Sequence, residues 1–218
     1  MPTITEVYDD YAVPQNLRDH MLRVAAIGEL IFENWTGPDL DRRSVLRVLL
    51  LHDTGNFVKM DAEDVRDSLP ENVSVELFED LREKYTREFG QDDHAISEAI
   101  ARDIGLSDRE INLMQQKVFM KNDETASSED WEAKIGAYAD QRVAPDGVMS
   151  LEARLQEAKE RYEDNPGSSM NNPRTDEMIE YAHTIESQVM KQCAINPGEI
   201  TDDVLNPVIR ELKSFEIK

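Results

Sequence analysis

Two histidines and two aspartates, far apart along a chain of 218 residues, have the local settings that a buried divalent cation requires. His52 and Asp53 close an apolar run, Leu-Leu-Leu-His-Asp-Thr-Gly. His20 sits inside an upstream helical apolar pattern, and Asp140 lies in Tyr-Ala-Asp-Gln-Arg-Val. Imidazoles and carboxylates at the edges of apolar helix faces suit Mn, Fe, Co, Ni, Zn or Mg, with positions left open for water and a substrate oxygen. Such an ion polarises a phosphoryl oxygen and acidifies water near neutral pH. Taken singly, each residue has a plainer reading. His20 could be a hydrogen-bonded core histidine, Asp140 a cap or ion-pair partner, and His-Asp a common dipeptide. The combination, in this order and in these contexts, points to a metal site.

Helices must position these groups, because the periodicity is helical nearly throughout. Leu17, His20, Met21, Val24, Ile27, Gly28 and Ile31 recur at three-four spacing, with Pro14 just before the helix and Asn16 as its cap. A second helix is expected from about Asp41 to the His52-Asp53 doublet, stopped by Gly55. Adjacent helical residues point about 100° apart, so a helix tangent to the ion would offer both doublet side chains. Residues 58–74 read as an irregular connection with one short turn. Further helices are expected from Val75 to Tyr85, from His94 to Ile104 after the capping Asp92-Asp93, and from Ser107 to Val118. Others run from Trp131 to Val143, from Leu151 to Tyr162, along the stripe Met178, Ala182, Ile185 and Val189, and near Val204–Leu212. The alternation Val73, Val75, Leu77 is too short for a sheet, so the fold class is all-α.

Asn165 to Pro173 is the one linker-like composition. The expected organisation is a core domain over 1–163, a linker over 164–173, and a C-terminal helical extension over 174–218 that packs on the core or on a partner subunit. A formal net charge of -22 disfavours binding to long nucleic acids or anionic membranes, which need clustered Lys and Arg. It describes a solvated acidic surface, and the excess of Arg over Lys is compatible with adaptation to high salt. No stretch approaches the roughly 20 apolar residues of a membrane span, and the acidic N-terminus does not read as a secretory signal. The single cysteine, Cys193, excludes an internal disulfide framework and agrees with a cytoplasmic location.

The order His, His-Asp, Asp resembles the HD-domain superfamily of metal-dependent phosphohydrolases, in particular its small stand-alone members. The resemblance covers roughly residues 11–163: Val13 to His20 with Arg23-Val24-Ala25, Leu49 to Gly55, Tyr138 to Val143, and Ser150 to Leu155. It implies an HD-like helical bundle with added C-terminal helices, and His20, His52, Asp53 and Asp140 as metal ligands. Asp53 is then also the candidate to position the attacking water. His94 resembles the first of the extra histidines found in members with two metals. It is read here as an acid or phosphate contact in preference to a residue that merely follows a cap. Where a further histidine often stands, this chain has Met114-Gln115-Gln116-Lys117-Val118. That argues against a full binuclear site, and Lys117 is read as a surface residue in preference to a phosphate contact. The basic residue many members carry just after the doublet is replaced by Thr54-Gly55-Asn56, with Lys59 the nearest base. The acidic residues of alarmone hydrolases are absent from the same place. His183 reads as a surface or interface residue, and Cys193 receives no role.

The expected activity is metal-dependent hydrolysis of a phosphomonoester or phosphoanhydride in a small metabolite of the nucleotide kind. The competing expectation is a catalytically silent HD-like domain that binds metal or nucleotide for regulation or assembly. A homodimer is left open.

Overall fold

The computed structural model describes residues 2–217. Twelve α-helices follow in order: α1 (Ile4–Asp10), α2 (Gln15–Glu33), α3 (Arg42–Leu51), α4 (Ala62–Val65), α5 (Val75–Phe89), α6 (Asp93–Ile104), α7 (Asp108–Gln116), α8 (Asn122–Ser127), α9 (Trp131–Asp140), α10 (Leu151–Arg161), α11 (Thr175–Lys191) and α12 (Asp202–Leu212). A two-residue hairpin, Val143–Ala144 with Gly147–Val148, is the one sheet among the described residues. The fold is all-α.

The apolar runs explain the centre. Ala25, Ala26 and Ile27 of α2, Leu49, Leu50 and Leu51 of α3, and Ile135, Ala137 and Ala139 of α9 are all fully buried. Each buried leucine or isoleucine contributes about 1.5–3 kcal/mol relative to exposure. Small residues let these helices approach: a Cβ on Gly28 would lie 2.6 Å from Leu49 Cδ1. Helix α7 packs on α3, α11 on α8 and α9, and α12 on α2.

Capping chemistry sets most helix starts. Asp41, Ser74, Asp92, Ser107, Asp130 and Ser150 each accept a backbone N–H from the first turn of their helix. At α2 the expectation shifts by two positions: Pro14 is the N-cap and Asn16 lies within the first turn. Two short helices escape the periodicity argument. Helix α1 has too few residues to show a stripe, although Thr3 and Glu6 form a capping box. Helix α8 spans only Asn122–Ser127.

The end of α3 matters most, and it differs from expectation. The helix stops at Leu51, His52 is its C-cap, and Asp53 has left helical geometry. The doublet therefore sits on a helix end, not on a helix tangent to the site. Side chains take up the last carbonyls that helical bonding leaves free. His52 Nδ1 lies 2.7 Å from Leu49 O, Tyr8 Oη donates to Leu50 O at 2.6 Å, and Thr54 Oγ1 donates to Leu51 O at 2.8 Å. Gly55 does not terminate α3. It lies in a 3-10 segment, Thr54–Lys59, where an added Cβ would meet Asp93 O at 2.4 Å and Ser97 N at 2.6 Å. Its role is to let the start of α6 rest directly on the segment after the doublet.

The region 58–74 is more ordered than an irregular connection, holding α4 and a further 3-10 turn, Arg66–Ser68. Residues 164–173, of linker-like composition, form a hydrogen-bonded loop. Asn171 Nδ2 donates to Tyr162 O at 2.6 Å and to Asn165 O at 2.7 Å, and Thr175 Oγ1 donates to Ser169 O at 2.8 Å. Beyond that loop the stripe Met178, Ala182, Ile185 and Val189 of α11 is buried.

Candidate metal centre

Four helices deliver their chemistry to one point. His20 projects from α2, His52 and Asp53 follow α3, Asp140 is the last residue of α9, and Lys117 caps the end of α7. His20, His52 and Asp140 form a group that could hold a metal ion, their ligand atoms all lying within 4.8 Å of one another. Asp140 Oδ1 is 3.2 Å from His20 Nε2 and 3.3 Å from His52 Nε2. Asp53 reaches the same two nitrogens through Oδ2, at 3.6 Å from His20 and 3.5 Å from His52. Donors about 2.1 Å from a shared ion stand about 3.0 Å apart at a right angle and about 3.4 Å apart at a tetrahedral one. The two Asp140 spacings fall in that range, and the two Asp53 spacings lie 0.1–0.2 Å beyond its upper end.

His52 supplies the strongest test of fit. The Leu49 carbonyl can only accept, so His52 Nδ1 carries the proton that bonds it. In the neutral ring Nε2 then presents a bare lone pair toward the carboxylates. That nitrogen is buried and has no hydrogen-bond partner. Unpaired buried polar atoms cost free energy, and a metal ion removes the cost. A backbone carbonyl fixing the tautomer and orientation of a ligating histidine is the usual supporting arrangement. The two rings meet edge to face with centroids 5.4 Å apart.

The electrostatics also favour a cation. Asp53 and Asp140 stand at the carboxyl ends of α3 and α9, where helix dipoles disfavour negative charge. Burial pushes both carboxyls up, but Lys117 and, where their rings carry a second proton in the metal-free chain, the histidines outweigh it. His52 and Lys117 bring Asp53 down to about 2. Lys117, His52 and the hydrogen bond from His20 hold Asp140 well below the ordinary carboxylate range.

Lys117 corrects the surface reading. It is only 6% exposed, and its Nζ lies 3.2 Å from Asp53 Oδ1 and 3.3 Å from Asp140 Oδ2. Burial lowers its pKa, but the two carboxylates outweigh that and raise it, so the ammonium persists. The sequence held a signal for this. Lys117 follows Ile111 and Met114 at helical three-residue spacing, and both of those are buried.

The centre opens on a cleft of about 780 Å³, a volume suited to a nucleotide-sized ligand. Asn56, Lys59, Tyr162, Ser168 and Ser169 are among the residues that line it. Lys59 is held at the rim by Asp93, 2.7 Å away. His94, in the first turn of α6, is exposed and lines this cleft together with a smaller adjoining pocket of about 190 Å³ beside Met114 and Val118. His183 pairs with Glu152 at 3.0 Å on the surface. Burial pushes the Cys193 thiol up to about 11, which keeps it protonated and unreactive.

The rest of the Asp140 motif is structural. Gln141 and Asn122 exchange amide hydrogen bonds, each at 3.0 Å, and Asn122 also donates to Met178 O at 3.2 Å. Arg142 is buried and donates to Met149 O, to the Tyr138 hydroxyl, and to Pro197 O and Ile200 O at 3.2 and 3.3 Å. Among the described residues no helix is long and apolar enough to cross a membrane.

No curated protein and no solved structure matches the chain. The family model for the HD domain matches residues 17–154, a span that runs from just before His20 to beyond Asp140. With that match over more than half its length, and with the family's His, His-Asp, Asp order meeting at one centre, the chain belongs to the HD-domain family.

Proposed function

We propose that this protein is a metal-dependent phosphohydrolase that cleaves a phosphomonoester or phosphoanhydride of a small, nucleotide-sized metabolite. The observation that carries the reading is the unpaired, buried Nε2 of His52, aimed at the two carboxylates beside His20. His20, His52, Asp53 and Asp140 would hold the ion. A divalent cation there supplies Lewis-acid polarisation of a phosphoryl oxygen and acidifies water. Asp53, with its carboxyl at about 2, is too weak a base to take a proton efficiently near neutral pH. Its part is to accept a hydrogen bond from the attacking water and fix its direction. Lys117 sets positive charge against an incoming phosphate. His94, which lines both the cleft and the smaller pocket, would donate a proton to a departing oxygen. The acidic surface makes long nucleic acids poor substrates, while a small anion entering the cleft meets Lys59 and Lys117.

The test is turnover by the purified protein, with Mn²⁺ or Co²⁺ added, of a generic phosphatase substrate and a panel of phosphorylated metabolites including nucleotides. Activity should appear with metal and fall by roughly 10²–10⁴-fold in Asp53→Ala. Stoichiometric metal without turnover across the whole panel would instead identify a silent binding domain.

A further inference from the structure

The two carboxylates at the centre are divided, oxygen by oxygen, between two kinds of partner. Asp53 Oδ2 and Asp140 Oδ1 face the histidine nitrogens, at 3.2–3.6 Å. Asp53 Oδ1 and Asp140 Oδ2 face Lys117 Nζ, at 3.2 and 3.3 Å. From this division we infer that Lys117 is a built-in second cation: its ammonium takes the carboxylate face that a second metal ion would need and restricts the centre to one divalent ion. The inference rests on the metal-binding reading above and specifies its stoichiometry.

Three observations support it. A binuclear centre holds its ions about 3.5–4 Å apart, a separation that a carboxylate can bridge with one oxygen to each ion. Here the bridging geometry exists, but one of its two ends is filled by a covalently tethered charge. Second, that charge is held at the carboxylates. Lys117 is buried at the end of α7, whose Ile111 and Met114 are packed in the core, and its Nζ lies within ion-pair distance of both Asp53 and Asp140. Third, the two carboxylates and the ammonium carry a net single negative charge, so one divalent ion already leaves the centre with a net single positive charge and a second would add two more. Two carboxylates against one ammonium leave room for a divalent ion, but a second ion would approach the ammonium directly. Like charges at that range in a partly buried site cost several kcal/mol.

The consequence for recognition is specific. With one mobile cation and one fixed cation side by side, the centre offers a phosphate two unlike positive neighbours. Only the metal can be exchanged or removed. Chelation would then leave a pre-charged anion site, where a binuclear centre would be left with bare carboxylates.

The experiment is titration of the metal-free full chain with Mn²⁺, read by calorimetry and by electron paramagnetic resonance. The wild-type protein should bind one equivalent and give the signal of an isolated Mn²⁺ ion. Lys117→Arg should also stop at one equivalent, because the charge is retained. Lys117→Gln and Lys117→His should each admit a second equivalent, with the isolated-ion signal replaced by that of a coupled pair. Circular dichroism checks that both variants keep the helical fold. Two equivalents in the wild type overturn the inference, as does a stoichiometry that stays at one in both Lys117→Gln and Lys117→His. A wild-type protein that binds no Mn²⁺ at all removes the metal-binding reading itself, and this inference with it.

Discussion

Two buried polar clusters sit within three residues of each other at the end of α9, and they are built on opposite principles. Asp140 joins a cluster in which His52 Nε2 has no hydrogen-bond partner and two carboxylates crowd the ends of two helices. Gln141 and Arg142 join a cluster in which bonding is complete. The Asn122–Gln141 amides bond reciprocally, and each guanidinium nitrogen of Arg142 has an acceptor. A satisfied network rigidifies and specifies the fold, whereas an unsatisfied one persists only where something else completes it. The first cluster is therefore the candidate site, and the second is a clamp. The clamp holds the hairpin, α8 and the segment Pro197–Ile200 against α9, and so keeps Asp140 at its post.

That contrast can be broken by changing one member of each cluster. The largest effect is expected from His52→Gln. Loss of a ligand should weaken Mn²⁺ binding by more than the roughly 10–100-fold typical of outer supporting groups. The metal-free chain should lose only the Nδ1 bond to Leu49 O, about 1 kcal/mol, which lowers the melting temperature by roughly 2–4 °C. Calorimetric titration and thermal melts check the two halves, and a stability loss as large as the affinity loss would erase the distinction.

Arg142→Met should show the reverse. It strands the carbonyls of Met149, Pro197 and Ile200 and removes one partner of the Tyr138 hydroxyl, for a cost of about 3 kcal/mol. In a chain of this size that lowers the melting temperature by about 6–12 °C. The bound Mn²⁺ stoichiometry should not change.

The smallest effect is a pH dependence confined to the first cluster. Asp53 sits at about 2 in the folded metal-free chain against an ordinary 3.8, so its carboxylate stabilises the fold fully above about pH 4. The contribution is lost as pH falls through about 2, where the folded carboxyl also protonates. Melting curves across that window should be less steep in pH for Asp53→Asn than for wild type. Asn122→Leu, which disrupts only neutral amides, should retain the wild-type slope.

Much of the centre was legible from the chain. His20 lay on an apolar stripe, the doublet closed an apolar run, and Asp140 stood in a recognisable motif; the structure brings all four side chains within a few ångströms. The helix caps at Asp92, Ser107 and Asp130 were legible too, because capping is a local matter of three or four residues. Lys117 was misplaced because a lysine is usually exposed. Its burial depends on two carboxylates that arrive from positions 64 and 23 residues away. Gly55 was misplaced for a similar reason. A glycine after a helix usually reads as a stop, and only the approach of α6 shows that it serves packing.

Periodicity, capping residues and the order of four ligand-type side chains determined the helical class and the family. Those are properties of short segments, set by steric and solvation preferences that neighbouring residues share. Tertiary structure alone decided which oxygen of each carboxylate faces a histidine and which faces Lys117. It also decided that Asn165, Gly167, Ser168 and Ser169, from the linker-like stretch, line the cleft. Both are outcomes of distant helices meeting, and the energy that selects them is collected only once the core has closed.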